Sequence, residues 1–528
     1  MSFNCGAGYG RDSCIGRRGC PGGWGICPLR PDVGRYDLCI VGAGYAGLNA
    51  AFVASQYLPV SARVLVLDKH QQAGGMWNDA YSYVRLHQPY RLFTAGNIPW
   101  TLGRERSYLA SRDEVAVHLR HCFDVISRRF AEDARWGWEH LDHHEDGNSV
   151  VVTARGPDGE ARTFRAGRFI GAKGFDVEPN RPLALASRDV HSIAPDELEN
   201  SGLLSTGHTE PVWVIGSGKT SMDTNVALVR ANPARRIGMV TGTGTYFFNR
   251  DLITPTGLKR WTGGVRYSSI FAGVAKRFDG TNAAEVSQWC RTWCGTSPLE
   301  DPPPSHLLFA FLSEDETAAV ATGVSEVIRD HLADVVDDAS GPVMVLRSGA
   351  RHPIPSGSWV INCTGHLKPR DEEHVPYVSP SGKAMSINST STAFGNSAFS
   401  AYFLSHLFFL DKLADAPLYE LDLNGLARNA PEGILAVWSA LIQHNLSIVL
   451  EQVPMRAFQT FKLDFDQWYP LPPDPGPGPV HAHPQARSPA SPANPRHLQP
   501  ACQRTLRAAS GANPVRALMP RPIAPAPR

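Results

Sequence analysis

Two short apolar runs in this chain each lead into a glycine-rich turn and then into a stretch of helical period. The first run, residues 36–41, turns at Gly42-x-Gly44-x-x-Gly47 and continues helically over residues 48–56. The second, residues 212–215, turns at Gly216-Ser217-Gly218-Lys219-Thr220-Ser221. Another apolar run follows each helix, at 63–67 and at 236–241. Strand, turn, helix, strand, repeated, predicts parallel sheets of the doubly wound α/β kind. Between the copies, 149–154 and 162–170 alternate around a turn at 156–159 and predict a small antiparallel layer. After the second copy, 327–336 reads as a helix and a strand, 343–347 as a strand and 358–363 as a buried strand. Residues 420–461 are apolar and largely helical in period, suiting a cap over a pocket.

The glycines have separate tasks in such turns. The first makes the tight bend, the second lets a pyrophosphate reach the backbone, and the third brings the helix close to the strand. The helix N-terminus then faces the phosphates with partial positive charge. Asp68, followed by Lys69, stands 21 residues beyond Gly47 at the end of the next strand. A carboxylate there accepts from an adenosine ribose and repels a 2′-phosphate, so the first turn suits FAD or NAD. In the second copy Ser221 replaces the third glycine, and the position equivalent to Asp68 is Gly242. Without an acid, a 2′-phosphate is permitted, and Lys219, Arg235, Arg236 or Arg250 would neutralise it. NADPH is thus allowed and NADH remains open. Two nucleotide sites in one chain imply electron transfer between two cofactors.

The expected architecture is therefore two nested Rossmann-like dinucleotide-binding domains, the FAD domain being interrupted by the NAD(P)H domain. Residues 36–205 form the first part of the FAD domain, 206–360 the NAD(P)H domain, and 361–470 the second part with a helical cap. Residues 1–35 read as a flexible Gly/Cys-rich leader, and 471–528, with 15 of the 42 prolines, as a disordered tail. Leader and tail together carry a net charge of +9, leaving about −8 for 36–470 against a net +1 for the chain. An acidic body gives no electrostatic reason to expect nucleic acid. The strongest candidate span, 398–410, is too short and contains His406, so no membrane span is expected. With no secretory signal at residues 1–10, the default location is cytoplasmic.

Ten cysteines in such a chain read as reduced thiols, and Cys5, Cys14, Cys20 and Cys27 lack the paired spacing of a zinc ribbon, so no metal site is expected. Cys290 and Cys294 fall on one face of a helical stretch at 283–294, where Trp289 and Trp293 favour ordinary packing over a dithiol role. The oligomeric state is not specified by the sequence.

Several further segments resemble the flavin-containing monooxygenases and their relatives, the class B flavoprotein monooxygenases, over residues 36–411. Gly74-Gly75-Met76-Trp77 is similar to the family's loop beside the flavin. Residues 83–90 through 97–99 resemble the segment crossing the flavin face. Phe169-Ile-Gly-Ala-Lys-Gly174 and Val360-Ile-Asn-Cys-Thr364-Gly365 look like the two loops by which the chain passes between domains, and 241–250 also resembles its family counterpart. The chain departs from the pattern at His87, where many relatives carry asparagine. It also departs at Gly242-Thr243-Gly244, where they carry arginines, and at Leu185 and Ser187 ahead of His191-Ser192.

The resemblance implies FAD and NADPH as cofactors, and a small amine, sulfide or ketone with dioxygen as substrates. It also implies a flavin peroxide kept dry until the substrate arrives. His87 is then the candidate hydrogen-bonding partner of peroxide or flavin, with Gln88 and Arg91 beside it, or else a structural hydrogen-bonder. A helix starting near 394–400 would aim its positive end at the flavin. The competing readings are an NAD(P)H reductase or oxidase without oxygen insertion, and a flavin-binding scaffold without turnover.

Overall fold

The computed structural model describes residues 30–174, 179–304, 306–364 and 373–470. The first sheet contains β1 (Arg30–Val41), β2 (Arg63–Asp68), β3 (Ala131–Trp136), β4 (Glu139–Asp146), β5 (Ser149–Arg155) and β6 (Ala161–Gly171), in the order β3-β2-β1-β6-β5-β4. β1 lies parallel to β2 and β6, and β2 parallel to β3, whereas β5 runs antiparallel to both β4 and β6. The antiparallel layer expected from the alternation at 149–170 is therefore continuous with the parallel sheet. β6 joins the two, because one of its edges pairs with β1 and the other with β5. β1 also starts at Arg30, inside the segment expected to be a loose leader.

Helix α1 (Tyr45–Ala54) packs between this sheet and the Ser397–Phe409 helix, burying Leu48, Val53, Tyr402 and Leu407. Helix α2 (Arg112–Ser127) begins with a capping box. The Ser111 hydroxyl accepts from the Glu114 N–H at 3.4 Å, and the Glu114 carboxylate accepts from the Ser111 N–H at 2.8 Å.

The second sheet is all parallel and takes β7 (His191–Ile193), β8 (Val212–Ile215), β9 (Ile237–Val240) and two later strands, Glu326–Ile328 and Trp359–Asn362. Its order is Glu326–Ile328, β9, β8, Trp359–Asn362, β7. β8 and β9 are buried at every position, which is why their sequences are unbroken apolar runs. Helix α3 (Lys219–Ala231) follows the second glycine turn. The strand His191–Ile193 lies in the second sheet, so the crossover follows β6 and comes well before residue 205. The strand Trp359–Asn362 runs past residue 360, and Ala384–Ser386 brings the chain back to pair with β6.

Residues 327–336 contain no helix. Their β-branched positions form the Glu326–Ile328 edge strand and the strand Leu332–Asp338, which opens a three-stranded antiparallel sheet with Gly341–Leu346 and Arg351–Pro353. Among the described residues the longest apolar helix is Ile434–Gln452 and not the stretch at 398–410. By length and composition it could cross a membrane, yet 61% of its most apolar window is buried inside the protein, against the Tyr267–Arg277 helix among others.

Candidate functional site

At the C-terminal end of β1 the chain bends through Gly42 at φ +101°, where a Cβ would meet Ala172 O at 2.5 Å. A Cβ on Gly47 would stand 1.8 Å from Gly42 O, so helix and turn are in direct backbone contact. The Gly74-Gly75 loop lies on the same turn. Gly74 N–H donates to Ala43 O at 3.0 Å, and a Cβ on Gly75 would meet Gly44 Cα at 2.8 Å.

Asp68 is buried beneath this turn. Its Oδ2 accepts the Ala43 N–H at 2.6 Å, and its Oδ1 accepts the His70 N–H and faces His70 Nδ1, both at 2.8 Å. A carboxylate has about four acceptor directions, so three are used and one is left for a hydroxyl. His70 also reaches Asp79 at 2.7 Å, and its hydrogen bond to Asp68 holds its pKa above the ordinary value. Lys69 and Met76 are exposed, while Trp77 is half-buried and packs edge-on to Phe93, which stacks on Tyr45 of the first turn at 3.9 Å. The turn therefore has the bare backbone, the helix end and the buried acid that a dinucleotide requires.

The second turn is built differently. Gly216 has φ +120°, and a Cβ there would meet Cys363 O at 2.8 Å. Gly218 faces open space, with only Leu308 near, at 3.9 Å. Ser221 is fully buried, and its hydroxyl donates to Gly216 O at 2.8 Å. Helix α3 thus stands far enough from its turn to admit a serine, which bonds the carbonyl that would clash in the first copy. Thr245 Oγ1 donates to Ser217 O, and Thr364 donates to Asn362 Oδ1 at 2.7 Å. Gly365, the leader cysteines and the tail lie outside the described residues.

The two halves meet along residues 81–87. Tyr81 donates to Asp223 at 2.9 Å, and Tyr83 shares a hydrogen bond with Thr224 at 2.8 Å. His87 Nδ1 accepts the Phe311 N–H at 3.1 Å, and Arg250 donates to His87 O at 3.3 Å. Lys219 pairs with Asp223 one turn along α3, and Arg250 pairs with Glu316 at 2.8 Å. Burial, reinforced by Lys219 and Arg250, lowers His87 to about 3, so its imidazole is neutral. Burial pushes the Asp223 carboxyl up while Lys219 draws it down. Burial also acts to raise Glu316, but Lys219, Arg250 and the Ser313 N–H together hold it below its usual value. His87, Lys219 and Arg250, candidates scattered along the sequence with Thr220, are assembled by the fold into this cluster. Tyr81, Asp223, Phe311 and Glu316 were missed because nothing in their local sequence marks them.

Gln88 is 8% exposed, and its Oε1 accepts no hydrogen bond. Arg91 turns outward. Its Nε donates to Tyr90 OH at 3.1 Å, and it lies near Arg106, away from the His87 cluster. The other cations suggested for a 2′-phosphate are also engaged. Arg235 is buried and tethers the carbonyls of Leu203 and His208, and Arg236 pairs with Glu326 at 3.3 Å. A different cation reaches the 242–244 turn: Arg329 donates to Thr243 O at 3.3 Å, and a Cβ on Gly244 would stand 2.1 Å from its Nη1. His331 lies against Gly242 of the same turn. Both follow the Glu326–Ile328 strand, which pairs with β9, and no spacing rule connects them to residues 242–244.

The parallel sheets and their two glycine turns define a Rossmann-type fold. Residues 40–104 match the NAD(P)-binding Rossmann-like domain. FAD-dependent monooxygenases are among the chain's homologues. It is 24% identical over 237 residues to the FAD-containing monooxygenase EthA of Mycolicibacterium smegmatis, covering 42% of this chain and 45% of that one. It is 28% identical over 213 residues to an FAD-dependent monooxygenase of Pyrenophora dematioidea, covering 37% and 38%. The chain spans 36% to 45% of the length of the curated relatives it matches. Among solved structures, an open cyclohexanone monooxygenase superposes over 82% of this chain and 96% of its own, at 15% identity and a TM-score of 0.49.

Proposed function

We propose that this chain is an FAD-dependent oxidoreductase that consumes NAD(P)H and acts as a monooxygenase on a small amine, sulfide or ketone. The observation that carries this reading is the seam between two glycine turns, where four hydrogen bonds from residues 81–87 hold a neutral His87 beside Lys219 and Arg250. Bound FAD would accept a hydride and react with dioxygen, chemistry the side chains lack.

Gly42, Gly44 and Gly47 would admit the FAD pyrophosphate, and Asp68 would use its remaining acceptor direction for the ribose. Gly75, Met76 and Trp77 would border the cofactor. Gly216 to Ser221 would hold the pyridine nucleotide, with Arg329 and His331 favouring NADPH. Thr364 would line the passage between the sheets. The Phe311 N–H occupies Nδ1 of His87, so Nε2 carries the proton and is available to donate a hydrogen bond. Gln88 Oε1, buried and unpartnered, suits a cofactor N–H or hydroxyl, because an unpaired buried acceptor is costly. Phe311, Phe248, Tyr267 and Phe465 form an aromatic wall beside His87 that would exclude water. The setting we propose is cytoplasmic, in keeping with five buried free thiols.

The test is to follow NADPH and NADH oxidation, oxygen consumption and hydrogen peroxide with and without candidate amines, sulfides and ketones. A monooxygenase shows peroxide release falling as oxygenated product rises in step with NAD(P)H consumed. Peroxide release matching NAD(P)H oxidation with every candidate would assign an oxidase, and electron transfer to quinones or disulfides without oxygen use would assign a reductase.

A further inference from the structure

Residues 256–264 form a surface loop with a single helical turn at Lys259–Thr262, and they expose Leu258 (82%) and Trp261 (61%), with Lys259 and Arg260 between them. Its base is fixed. Val265 N–H donates to Leu252 O at 2.8 Å, and Trp468 Nε1 donates to Pro255 O at 2.8 Å. Two large apolar side chains exposed on a secured loop are not accounted for by core packing.

Basic residues surround them. Arg260 donates to Trp468 O at 2.6 Å and Arg106 donates to the same oxygen at 3.1 Å, which places both guanidiniums within reach of one atom. Both also lie over the Trp468 ring, at 5.7 and 4.8 Å. Arg266 lies over Tyr469 at 5.9 Å, and Arg91 and Arg104 project from the adjoining surface. Burial, then Arg260 and Arg91, lowers the Arg106 pKa, as a crowd of like charges does. Among the described residues none of Arg91, Arg104, Arg106, Lys259, Arg260 and Arg266 forms an ion pair. The acids near them are Glu105, Asp464 and Asp466, and Asp466 is occupied by Ser268. A basic patch on a body with a net charge of about −8 is a strong asymmetry.

We propose that this loop docks the protein on an anionic phospholipid surface, with Leu258 and Trp261 entering the headgroup boundary and the surrounding arginines facing lipid phosphates. Tryptophan and leucine flanked by Lys and Arg match the two demands of that boundary, apolar burial and attraction to negative headgroups. The charge complementarity selects this occupant, since an uncharged apolar partner would gain nothing from six unpaired cations.

The full chain is floated with phosphatidylcholine vesicles and with vesicles containing phosphatidylglycerol. Binding is expected only to the anionic vesicles, and salt near 0.5 M releases it because the Debye length is then only a few ångströms. Leu258→Ser/Trp261→Ser lowers the partition coefficient about tenfold or more, and Lys259→Glu lowers it similarly. Met455→Ser, which removes an exposed apolar side chain elsewhere, leaves it unchanged. All three variants keep the wild-type thermal midpoint and NAD(P)H oxidation. The proposal is overturned if the wild type ignores anionic vesicles, binds neutral ones equally, or is unaffected by the loop variants. It is also overturned if Trp261→Ser instead abolishes a concentration-dependent self-association, which would make the patch a contact between copies of this chain.

Discussion

The backbone N–H of Phe311 donates to Nδ1 of His87 at 3.1 Å, and the two rings lie face to face at 5.3 Å. A residue from the loop after the first nucleotide turn is thereby held by a strand of the second half. The tautomer follows from this bond, since Nδ1 as acceptor leaves the proton on Nε2. Replacing His87 with Phe keeps a ring against Phe311 and removes the Nε2 donor. We expect flavin content to be retained while the ratio of hydrogen peroxide to NAD(P)H consumed changes at least threefold. An unchanged ratio would leave His87 with a structural role only.

His87 also makes a pH prediction. Its folded pKa of about 3 lies below the unfolded value of 6.5, and His118 is lowered to about 3 and His406 to about 4, in each case chiefly by burial. Above pH 6.5 both states are neutral and stability is unaffected. Below it the unfolded chain takes up protons that the folded chain refuses, so stability falls with pH until the folded pKa is reached. The slope is at most about 1.4 kcal/mol per pH unit for each histidine. Asp464, pushed up to about 6 by burial and by Asp466, works in the opposite direction between its folded and unfolded values. Urea midpoints should fall between about pH 7 and pH 5, and His87→Gln should fall less steeply than the wild type. Equal slopes would show that His87 is not buried neutral.

The two glycine turns should respond unequally to substitution at their third position. Gly47→Ala puts a methyl 1.8 Å from Gly42 O and should cost on the order of 3–5 kcal/mol together with flavin binding. Ser221→Gly loses one hydroxyl bond and adds a flexible residue to α3, for about 1–2 kcal/mol. Thermal midpoints and flavin absorbance of the purified variants decide this.

Arg250 and Glu316 are 12% and 15% exposed, so removing either one strands a charge. Arg250→Met alone should destabilise by about 3–5 kcal/mol, and the double variant Arg250→Met/Glu316→Leu by less than the sum of the single changes. Glu316→Leu also breaks the cap on Ser313, so part of its cost should persist in the double variant. Strict additivity in a double-mutant cycle would show that the pair is not coupled.

Arg329 gives a test of coenzyme choice. If it meets a 2′-phosphate, Arg329→Ala should raise KM for NADPH about tenfold and leave KM for NADH within twofold. Equal effects on both coenzymes would make Arg329 a tether for Leu299 and Pro302, whose carbonyls it also holds.

Cys290 and Cys294 lie 3.7 Å apart, fully buried. The hydrogen bond with Cys290, and then burial, push the Cys294 thiol far above its ordinary value, so Cys294 does not react as a thiolate. Cys290→Ser/Cys294→Ser should change turnover by less than about twofold, whereas a dithiol reductase would lose essentially all activity.

Both glycine turns were legible in residue spacing alone. Gly42, Gly44, Gly47 and Asp68, like Gly216, Gly218 and Ser221, act through their own backbone and nearest strand, and such local geometry is written in spacing. The same locality made the strands of the sheets readable, because buried parallel strands must be apolar throughout. It failed at 327–336, where a helical period hid two strands, and at 149–170, where alternation gave the strands but not the sheet they join. Pairing partners come from distant segments, and the sequence carries no local record of which edge a strand will meet. The folded arrangement alone brings His87 to Phe311, carries Arg329 to residues 242–244 and turns Arg91 outward. It also decided that Lys219, Arg235, Arg236 and Arg250 are each already engaged within the chain. A charged side chain is free or committed according to what the fold places within a few ångströms of it. Lys219 meets Asp223 four residues on, but for Arg235, Arg236 and Arg250 the partners stand 27 to 163 positions away, and no periodicity reports them.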